Sequence, residues 1–287
     1  MGMRKADRQL PVHAVIPDTQ IKPGVPTEHL SWIGRYLAES VQPHIIIHLG
    51  DHWDMPSLSS YDKGKKQFEG RRYDADIIAG NTALDELDKP IRRRKNYNPR
   101  KILLRGNHEN RLNRLMEDDP FLFGGDGVHG LSLSDYDSLD WEVHDYLKVV
   151  WVDGVAYSHF FYNPQTGRPY GGQAITRLKT IGHSFTMGHQ QVLDHAMRPI
   201  SSPTGDTMQH GLIAGACYLH DEEYKGPQGN AHWRGIVVCH AVDKGNYNPM
   251  FVDLEYLCQR YEGMSIASFL NKNYICPKTP FDEWKRK

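Results

Sequence analysis

Three short apolar runs in the first half of the chain share one pattern, and each ends in polar residues. They are PVHAVIPD at 11–18, HIIIHLGD at 44–51 and KILLRGNH at 101–108. Nearly continuous aliphatic runs of this length are typical of buried parallel strands. Because ligands collect beyond the carboxyl ends of strands in open α/β sheets, the polar residues are predicted to meet at one sheet edge.

The segment between the first two strands has the periodicity of a helix. Its apolar residues recur three or four positions apart, at Leu30, Ile33, Leu37 and Val41. Thr27 is a candidate N-cap, so a helix is predicted over residues 27–41 and completes a strand–helix–strand unit.

Residues 55–98 are more polar and contain one further predicted helix, over residues 75–91. We expect this segment to form an excursion over one side of the site. Its most basic run is IRRRK at 91–95. A solvated helix end is the ordinary explanation of such a run, and contact with phosphate is the alternative.

After His144 the pattern changes to strands and turns. Asp153-Gly154 separates two apolar runs in YLKVVWVDGVAYSHFF, which predicts a hairpin. A loop is predicted at 163–172, a helix at 175–183 and a strand at 184–189. Three later runs, GLIAGACYL, GIVVCHAV and MFVDLEYL, are interpreted as antiparallel strands of a second sheet.

Composition is that of an ordinary globular protein, with 39% hydrophobic and 24% charged residues, and 287 residues suit one α/β domain over 1–287. A formal net charge of -1 gives no general attraction to nucleic acid or membranes. No apolar run approaches the roughly 20 residues that cross a bilayer, and the N-terminal apolar stretch is short for a secretory signal. We therefore expect a cytoplasmic protein without a membrane partner.

The four cysteines form no CxxC pair and are interpreted as core thiols.

Histidine is unusually frequent, with 16 residues, and several histidines follow apolar runs. Imidazole is the commonest protein ligand of transition metals, which predicts a metal site. Four clusters carry this prediction: DTQ at 18–20, GDHWD at 50–54, GNHE at 106–109 and GHQQ at 188–191. Since a single Asp at a strand end is more often a helix cap than a ligand, only the four clusters together predict a metal site.

Together the clusters resemble the calcineurin-like metallophosphoesterases, a superfamily that includes phosphoprotein phosphatases and nucleases of the SbcD type. That family has the pattern DxH, GDxxD, GNHE, an isolated histidine and GHxH, and His159 in YSHFF matches the isolated histidine. The resemblance covers residues 11–191, and GNHENR is similar to forms found in phage-encoded members. It implies a four-layer α-β-β-α sandwich of two mixed sheets, with two metal ions at the carboxyl ends of the strands.

The resemblance also implies the metal ligands. Asp51 would bridge two divalent ions, and the second ion would also bind Asn107, His159 and His189. The first ion would bind Asp18, but at its two remaining positions, where the family has histidines, this chain has Gln20 and Gln191.

The two glutamines change the expected metal. An oxygen-rich shell of Asp18, Gln20, Asp51 and Gln191 suits Mg²⁺, Mn²⁺ or Ca²⁺ better than Zn²⁺, and neutral carbonyl groups bind weakly. We therefore expect Mn²⁺ or Mg²⁺ as cofactor and a weaker first site. The second site would be tighter, and Zn²⁺ or iron could also bind there.

The implied reaction is phosphoester hydrolysis, in which two ions about 3.5–4 Å apart hold a bridging hydroxide for in-line attack on phosphorus. His108 would protonate the leaving oxygen, and Glu109 would support the ligands from behind. Arg111 is a candidate phosphate clamp, and a surface salt bridge is an equally good explanation of it.

Three functions stay open at this point. A phosphodiesterase or nuclease acting on DNA or RNA is favoured slightly, because arginines 71, 72 and 92–94 are interleaved with Trp53, Tyr73 and Tyr97. A phosphomonoesterase acting on phosphoprotein or nucleotide is the second. A metal- or nucleic-acid-binding module with weakened catalysis is the third, and the intact GNHE argues against it.

Several other histidines have structural alternatives. His52 could point into the site or make a hydrogen bond at the strand end, and His183 is a weaker rival for the position of His189. His220, His232 and His240 could line the cleft, although nothing in their spacing requires it.

Overall fold

The computed structural model describes residues 9–64, 68–118, 140–202, 205–222 and 225–274. Within these residues the chain forms an α/β fold with two mixed β-sheets and seven α-helices. The predicted fold class is confirmed at this level.

The first sheet has six strands in the order β13, β12, β1, β2, β3, β4. Their bounds are His13–Ile16 (β1), Ile45–His48 (β2), Arg100–Leu104 (β3), Glu142–His144 (β4), Gly235–Asp243 (β12) and Asn246–Asp253 (β13). Strands β1 to β4 are parallel, whereas β12 is antiparallel to β1, and β13 to β12. The three predicted N-terminal strands are confirmed, and their parallel pairing brings their carboxyl ends to one edge.

The second sheet has five strands in the order β10, β11, β9, β6, β5. Their bounds are Val150–Val152 (β5), Val155–Ser158 (β6), Phe185–Met187 (β9), Leu193–Ser202 (β10) and Gly205–Ala214 (β11). The predicted hairpin joins β5 to β6, and both turn residues have positive φ, 47° at Asp153 and 85° at Gly154. Paired positive φ values suit a two-residue turn because its twist matches that of the strands.

The helices are α1 (Glu28–Tyr36), α2 (Tyr73–Arg93), α3 (Asn110–Asp118), α4 (Ala174–Ile181), α5 (Gly226–Asn230), α6 (Leu254–Glu262) and α7 (Ile266–Tyr274). A π-helical turn, Leu37–Val41, extends α1. Thr27 lies at the N-cap position of α1, but its side chain makes no capping hydrogen bond. The segment 55–98 contains α2, and its buried residues Ala83, Leu84 and Leu87 join the same core as α1.

Side chains of the first sheet are buried on both faces, which explains why its strands are apolar without alternation. On one face, Ile16 and Ile46 join a cluster with Leu30 of α1, Leu84 of α2 and Leu257 of α6. Successive residues of a strand point to opposite faces, so their neighbours belong to a second cluster.

The second cluster contains residues of both sheets, and a third lies beyond the second sheet. Val15 of β1 shares the second cluster with Tyr157 of β6 and Leu212 of β11. Phe185 of β9 shares the third with Leu178 of α4. The chain thus has apolar contacts between the sheets and between each sheet and helices.

The interpretation of the last three apolar runs is wrong for two of them. GLIA ends β11 in the second sheet, but GIVVCHAV forms most of β12 and MFVD ends β13, both in the first sheet. LEYL begins α6, where Asp253 accepts a hydrogen bond from the Tyr256 N–H and caps the helix. An apolar run predicts a strand. Which sheet that strand joins depends on which sheet has an edge free to pair with it.

Two further elements differ from the sequence predictions. The predicted loop at 163–172 contains part of a small hairpin, β7 (Tyr162–Asn163) with β8 (Arg168–Pro169). Strand β10 was not predicted, because LDHAMRPISS has little apolar alternation and contains a proline. Strand β10 lies at one edge of its sheet, where the missing backbone N–H of Pro199 is tolerated.

Candidate metal centre

Five strand ends bring the predicted ligands together. Asp18 and Gln20 follow β1, Asp51 follows β2, Asn107 follows β3, His159 follows β6, and His189 and Gln191 follow β9. The Gln20 N–H donates to the Asp51 carbonyl at 2.8 Å, and the Gly188 N–H donates to the His159 carbonyl at 3.1 Å. Backbone hydrogen bonds therefore hold neighbouring loops together within each sheet.

Four of the predicted ligands converge on one point. Nε2 of His159 lies 3.3 Å from Oδ2 of Asp51 and 3.0 Å from Oδ1 of Asn107. Nδ1 of His189 lies 2.7 Å from the same Asn107 oxygen. Ligand atoms of Asp51, His159 and His189 all lie within 4.8 Å of one another. A carboxylate, an amide oxygen and two imidazoles at this spacing form a possible site for a divalent transition metal.

His159 is oriented as metal-binding histidines are. Its Nδ1–H donates to the Leu49 carbonyl at 2.8 Å, which directs Nε2 toward Asp51. Burial acts to lower the pKa of His159, but Asp51 outweighs it and raises that pKa to about 9. Burial acts to raise the pKa of Asp51, and His159 with His108 holds it below its ordinary value. The ionised Asp51 carboxylate is thus stabilised by positive charge at this point.

His189 supplies a neutral imidazole near pH 7. Burial, followed by the charge of His159, lowers the pKa of His189 to about 4. Its ring stacks on Phe160 with the centroids 4.7 Å apart, which fixes the ring plane. A neutral imidazole keeps the lone pair that a metal requires.

Asp18 and Gln20 present buried side-chain oxygen atoms at the strand ends. Oδ1 of Asp18 accepts a hydrogen bond from the His189 N–H at 2.9 Å. Oδ2 of Asp18 and Oε1 of Gln20 have no hydrogen-bond partner among the described residues. Burial, opposed by His159 and reinforced by Asp51, raises the pKa of Asp18 to about 6. Unpaired buried oxygens are costly, so this corner fits a bound cation or water.

Gln191 has a different environment from Gln20. Its Oε1 accepts hydrogen bonds from the Tyr218 hydroxyl at 3.0 Å and from Nζ of Lys225. Nζ of Lys225 also donates to the Tyr218 oxygen at 3.1 Å. The Gln191 oxygen therefore has two protein donors of its own.

His108 is held by a carboxylate beside the metal ligands. Its Nδ1 lies 2.7 Å from Oδ1 of Asp54, and its backbone N–H donates to Oδ1 of Asp51 at 2.9 Å. Nη2 of Arg111 lies 3.3 Å from Nε2 of His108, while Nη1 donates to the carbonyls of Asp54 and Met55 at 2.7 and 3.2 Å. The Arg111 guanidinium is thus fixed against the same loop.

Glu109 joins the two central loops. One of its carboxylate oxygens accepts the N–H groups of Gly106 and Asp51 at 2.7 and 3.0 Å, and the other accepts the N–H of Trp53 at 3.0 Å. Burial, with a further contribution from Asp51, raises the pKa of Glu109 to about 7. Glu109 therefore contacts Asp51 through the backbone N–H of Asp51 and stabilises the loop that carries this predicted ligand.

Four of the predicted ligands have left-handed backbone conformations. The φ angles are 44° at Gln20, 50° at Asp51, 67° at His189 and 59° at Gln191. Such angles are uncommon for residues with a Cβ and concentrate at functional sites. Glycines provide the space beside them, since a Cβ on Gly106 would lie 2.0 Å from Oδ1 of Asp51.

The structure resolves the alternatives for three other residues. His52 is buried and bonds to the Thr19 hydroxyl at 2.7 Å and the Gly80 carbonyl at 2.9 Å, so its role is structural. Trp53 is 1% exposed and belongs to the helix-side core. His183 packs on Trp151 away from the ligands, with the ring centroids 4.5 Å apart.

The three later histidines have different surroundings. His220 contacts Glu222 at 2.9 Å, and Nε2 of His232 lies 3.1 Å from the Tyr218 hydroxyl, so both adjoin the Gln191 corner. His240 pairs with Asn248 inside the first sheet.

Arginines of the basic segment are partly engaged by carboxylates. Arg71 pairs with Asp62 at 2.8 Å, and Arg92 pairs with Asp85. The hydroxyl of Tyr97 donates to the Pro43 carbonyl at 3.0 Å. These contacts provide a structural explanation for residues that had suggested a nucleic-acid surface.

Sequence reasoning missed five residues of the site. These are Asp54, Lys22, Glu222, Tyr218 and Lys225. Nζ of Lys22 lies 3.0 Å from Asp54 and 2.7 Å from Glu222, which links the loop after β1 to the last third of the chain. The second Asp of GDHWD was a signal for Asp54, whereas no sequence pattern identified the others.

A cavity of about 280 Å³ opens beside the converging ligands. Its lining includes Asn107, Arg111, Arg114, Tyr61 and His189. A substrate in this cavity would meet two guanidinium groups and an aromatic ring next to the candidate metal position.

Sequence comparisons did not identify the chain. No protein-family model matches it, and no curated protein matches it either. Among the described residues, no helix is both long enough and apolar enough to cross a membrane.

Proposed function

We propose that this protein is a metal-dependent phosphoester hydrolase of the calcineurin-like type that acts on phosphodiesters. The observation that carries the proposal is the convergence of Asp51, Asn107, His159 and His189, with His108 bonded to the same Asp51. A histidine paired with a carboxylate beside a ligand cluster serves hydrolysis, whereas a metal-binding module would not need it.

The ligand set fits divalent ions. Asp51, Asn107, His159 and His189 would hold one ion, and Mn²⁺, Mg²⁺, Zn²⁺ and iron all accept these ligands. Asp18 and Gln20, whose buried oxygens lack partners among the described residues, would attract cationic charge nearby. When bound, a divalent ion supplies positive charge to phosphoryl oxygens and lowers the pKa of water.

The protein's own contribution to the reaction centres on His108. The Asp54 carboxylate accepts its Nδ1–H and leaves Nε2 directed into the site. Burial acts to lower the pKa of His108, but Asp51 and Asp54 raise it above its ordinary value. A protonated imidazole is then available near neutral pH to donate a proton to the leaving oxygen. Arg111 would hold the phosphate beside it.

The four-layer arrangement of the calcineurin-like fold is part of the proposal. The three apolar clusters support it, because they lie between helices and the first sheet, between the sheets, and between the second sheet and α4. A site at the strand ends of both sheets is consistent with that arrangement.

Hydrolysis of two chromogenic esters tests the proposal. With Mn²⁺ added, we expect cleavage of bis-p-nitrophenyl phosphate to exceed that of p-nitrophenyl phosphate, and chelation to abolish it. His108→Ala should reduce turnover of the diester by at least about a hundredfold, the usual contribution of a general acid. His183→Ala is the matched control, because His183 contacts Trp151 away from the ligands.

Each alternative function has its own result in this assay. Preferential cleavage of the monoester would replace the diesterase with a phosphomonoesterase. Metal binding without cleavage of either ester, or of single-stranded DNA, double-stranded DNA and RNA, would favour the binding module. Unchanged turnover in His108→Ala would exclude the role given to His108.

A further inference from the structure

The corner that the resemblance assigns to the first metal ion contains a lysine. Nζ of Lys225 donates to Oε1 of Gln191 and, at 3.1 Å, to the hydroxyl oxygen of Tyr218. The backbone N–H of Lys225 donates to the Glu222 carbonyl at 3.1 Å, which anchors the residue just before α5. Tyr218 is fully buried, so the ammonium lies against a fixed group.

The Gln191 oxygen has no capacity left for a metal in this arrangement. An amide oxygen has two lone pairs, and here the Tyr218 hydroxyl and the Lys225 ammonium each donate to it. A neutral imidazole nitrogen has one lone pair and could accept only one of these bonds. The glutamine at position 191 therefore suits an ammonium and a hydroxyl better than the histidine of the family pattern would.

The charged residues at this corner also favour an ammonium group there. Asp18 is fully buried, and its Oδ2 has no hydrogen-bond partner among the described residues. Nζ of Lys225 donates to Gln191, and two residues earlier the His189 N–H donates to the other oxygen of Asp18, so one loop contacts both the ammonium and the carboxylate. Lys22 forms ion pairs with Asp54 and Glu222 on the same side of the site.

We propose that this chain holds one divalent ion, at Asp51, Asn107, His159 and His189, and that the Lys225 ammonium replaces the other ion. This inference rests on the proposed function, because it concerns the same phosphoester site. The ammonium supplies one fixed positive charge at the Gln191 oxygen, where the other metal ion would supply two. Lysine is a compact point charge that needs no set coordination geometry, so the Gln191 amide oxygen and the Tyr218 hydroxyl suffice to position it.

Metal stoichiometry tests the proposal without relying on activity. The purified protein is dialysed against Mn²⁺, its bound ions are counted by elemental analysis, and paired ions are detected by their spin-coupled electron paramagnetic resonance signal. We expect one Mn²⁺ per chain and no coupled signal. Lys225→Met keeps most of the aliphatic stem and removes the charge, and should bind a second Mn²⁺ at least about tenfold more tightly than the wild type does.

Two controls accompany this variant. Lys179→Met removes an exposed lysine of α4 and should leave the count at one. Lys225→Arg keeps a positive charge and should also leave it at one. The ion that each variant retains at His159 and His189 reports that the fold around these residues is intact.

Three results of the Mn²⁺ count would contradict the proposals. Two coupled ions in the wild-type protein would overturn the replacement by Lys225 and leave the hydrolase proposal standing, and this result does not depend on any variant folding. A count of one in Lys225→Met would also overturn it. No bound ion in the wild type would overturn the proposed function itself, and the inference with it.

Discussion

Nδ1 of His108 lies 2.7 Å from Oδ1 of Asp54, and the other oxygen of this carboxylate lies 3.0 Å from Nζ of Lys22. Burial acts to raise the pKa of Asp54, but the hydrogen bond and charge of His108 hold it below its ordinary range. The carboxylate therefore stays ionised and fixes the ring of the candidate proton donor.

Asp54→Asn should reduce turnover of a phosphodiester roughly ten- to hundredfold, as loss of a carboxylate that orients a functional histidine commonly does. The amide cannot stabilise the imidazolium form, so the effect should appear in kcat more than in KM. Steady-state kinetics with bis-p-nitrophenyl phosphate measures both. Asp145→Asn, at an exposed side chain, is the control, and an Asp54→Asn enzyme with wild-type kcat would contradict the role.

Asn107→Ala should weaken Mn²⁺ binding at least about tenfold, equivalent to about 1.4 kcal/mol, because it removes the amide oxygen between His159 and His189. Isothermal titration with Mn²⁺ measures this change. Asn110→Ala, three residues further along the chain, removes an amide oxygen that accepts a hydrogen bond from Asn113, and this variant should bind Mn²⁺ normally. Equal affinity in the two variants would remove Asn107 from the ligand set.

Gly106→Ala should displace Asp51, because the added Cβ would lie 2.0 Å from its Oδ1 and 2.5 Å from its backbone nitrogen. We expect the free energy of unfolding to fall by roughly 1–3 kcal/mol, as for other overpacked sites. Urea unfolding measures the loss, and Mn²⁺ titration should show weakened binding. Gly171→Ala is the matched control, since its Cβ would meet nothing within 4 Å. Equal stability of the two variants would show that the loop after β3 yields easily.

His29 should make stability depend on pH below neutrality. Burial, with smaller effects of nearby charges, lowers its pKa to about 3, so the folded protein keeps the ring neutral while the unfolded chain protonates it below about pH 6.5. Its stabilising contribution is therefore complete above about pH 6.5 and is lost as the pH falls toward 3. The loss is about 1.4 kcal/mol per pH unit within that interval.

His29→Gln isolates this effect, because the amide can still reach the Cys217 carbonyl that Nε2 of His29 contacts at 3.0 Å. Between pH 6.5 and 5 the wild type should lose about 2 kcal/mol more than the variant. Denaturant unfolding at both pH values measures the difference. Parallel losses in the two proteins would assign the acid sensitivity to other groups.

Arg114 lines the cavity next to Arg111 and is exposed. If a substrate phosphate lies there, Arg114→Ala should raise KM about fivefold, or about 1 kcal/mol, with little change in kcat, since an exposed charge contributes modestly. Arg168→Ala, at an exposed position in β8, should leave KM unchanged. A fall in kcat alone would place the substrate phosphate elsewhere in the site.

The sequence predicted the strands that carry the first ligands because their apolar runs are local and nearly unbroken. Ile45–His48 and Arg100–Leu104 are short apolar runs followed by polar residues, as buried strands commonly are, and Asp51 and Asn107 follow them in the chain. The sheet membership of β12 could not be predicted, since its pairing with β1 joins residues more than 200 positions apart. Strand β10 was missed because its residues do not alternate regularly between apolar and polar, and a strand at the edge of a sheet can form without that pattern.

The sequence by itself determined which side chains stand at the strand ends, since strand, turn and glycine patterns act over a few neighbouring residues. Only the tertiary structure decided what each of those side chains contacts. Gln20 and Gln191 look equivalent in the sequence, yet the oxygen of Gln20 lacks a partner among the described residues while that of Gln191 accepts bonds from Tyr218 and Lys225. The difference arises because packing of the last third of the chain brings a lysine to one glutamine and not to the other, and no local pattern encodes such a contact.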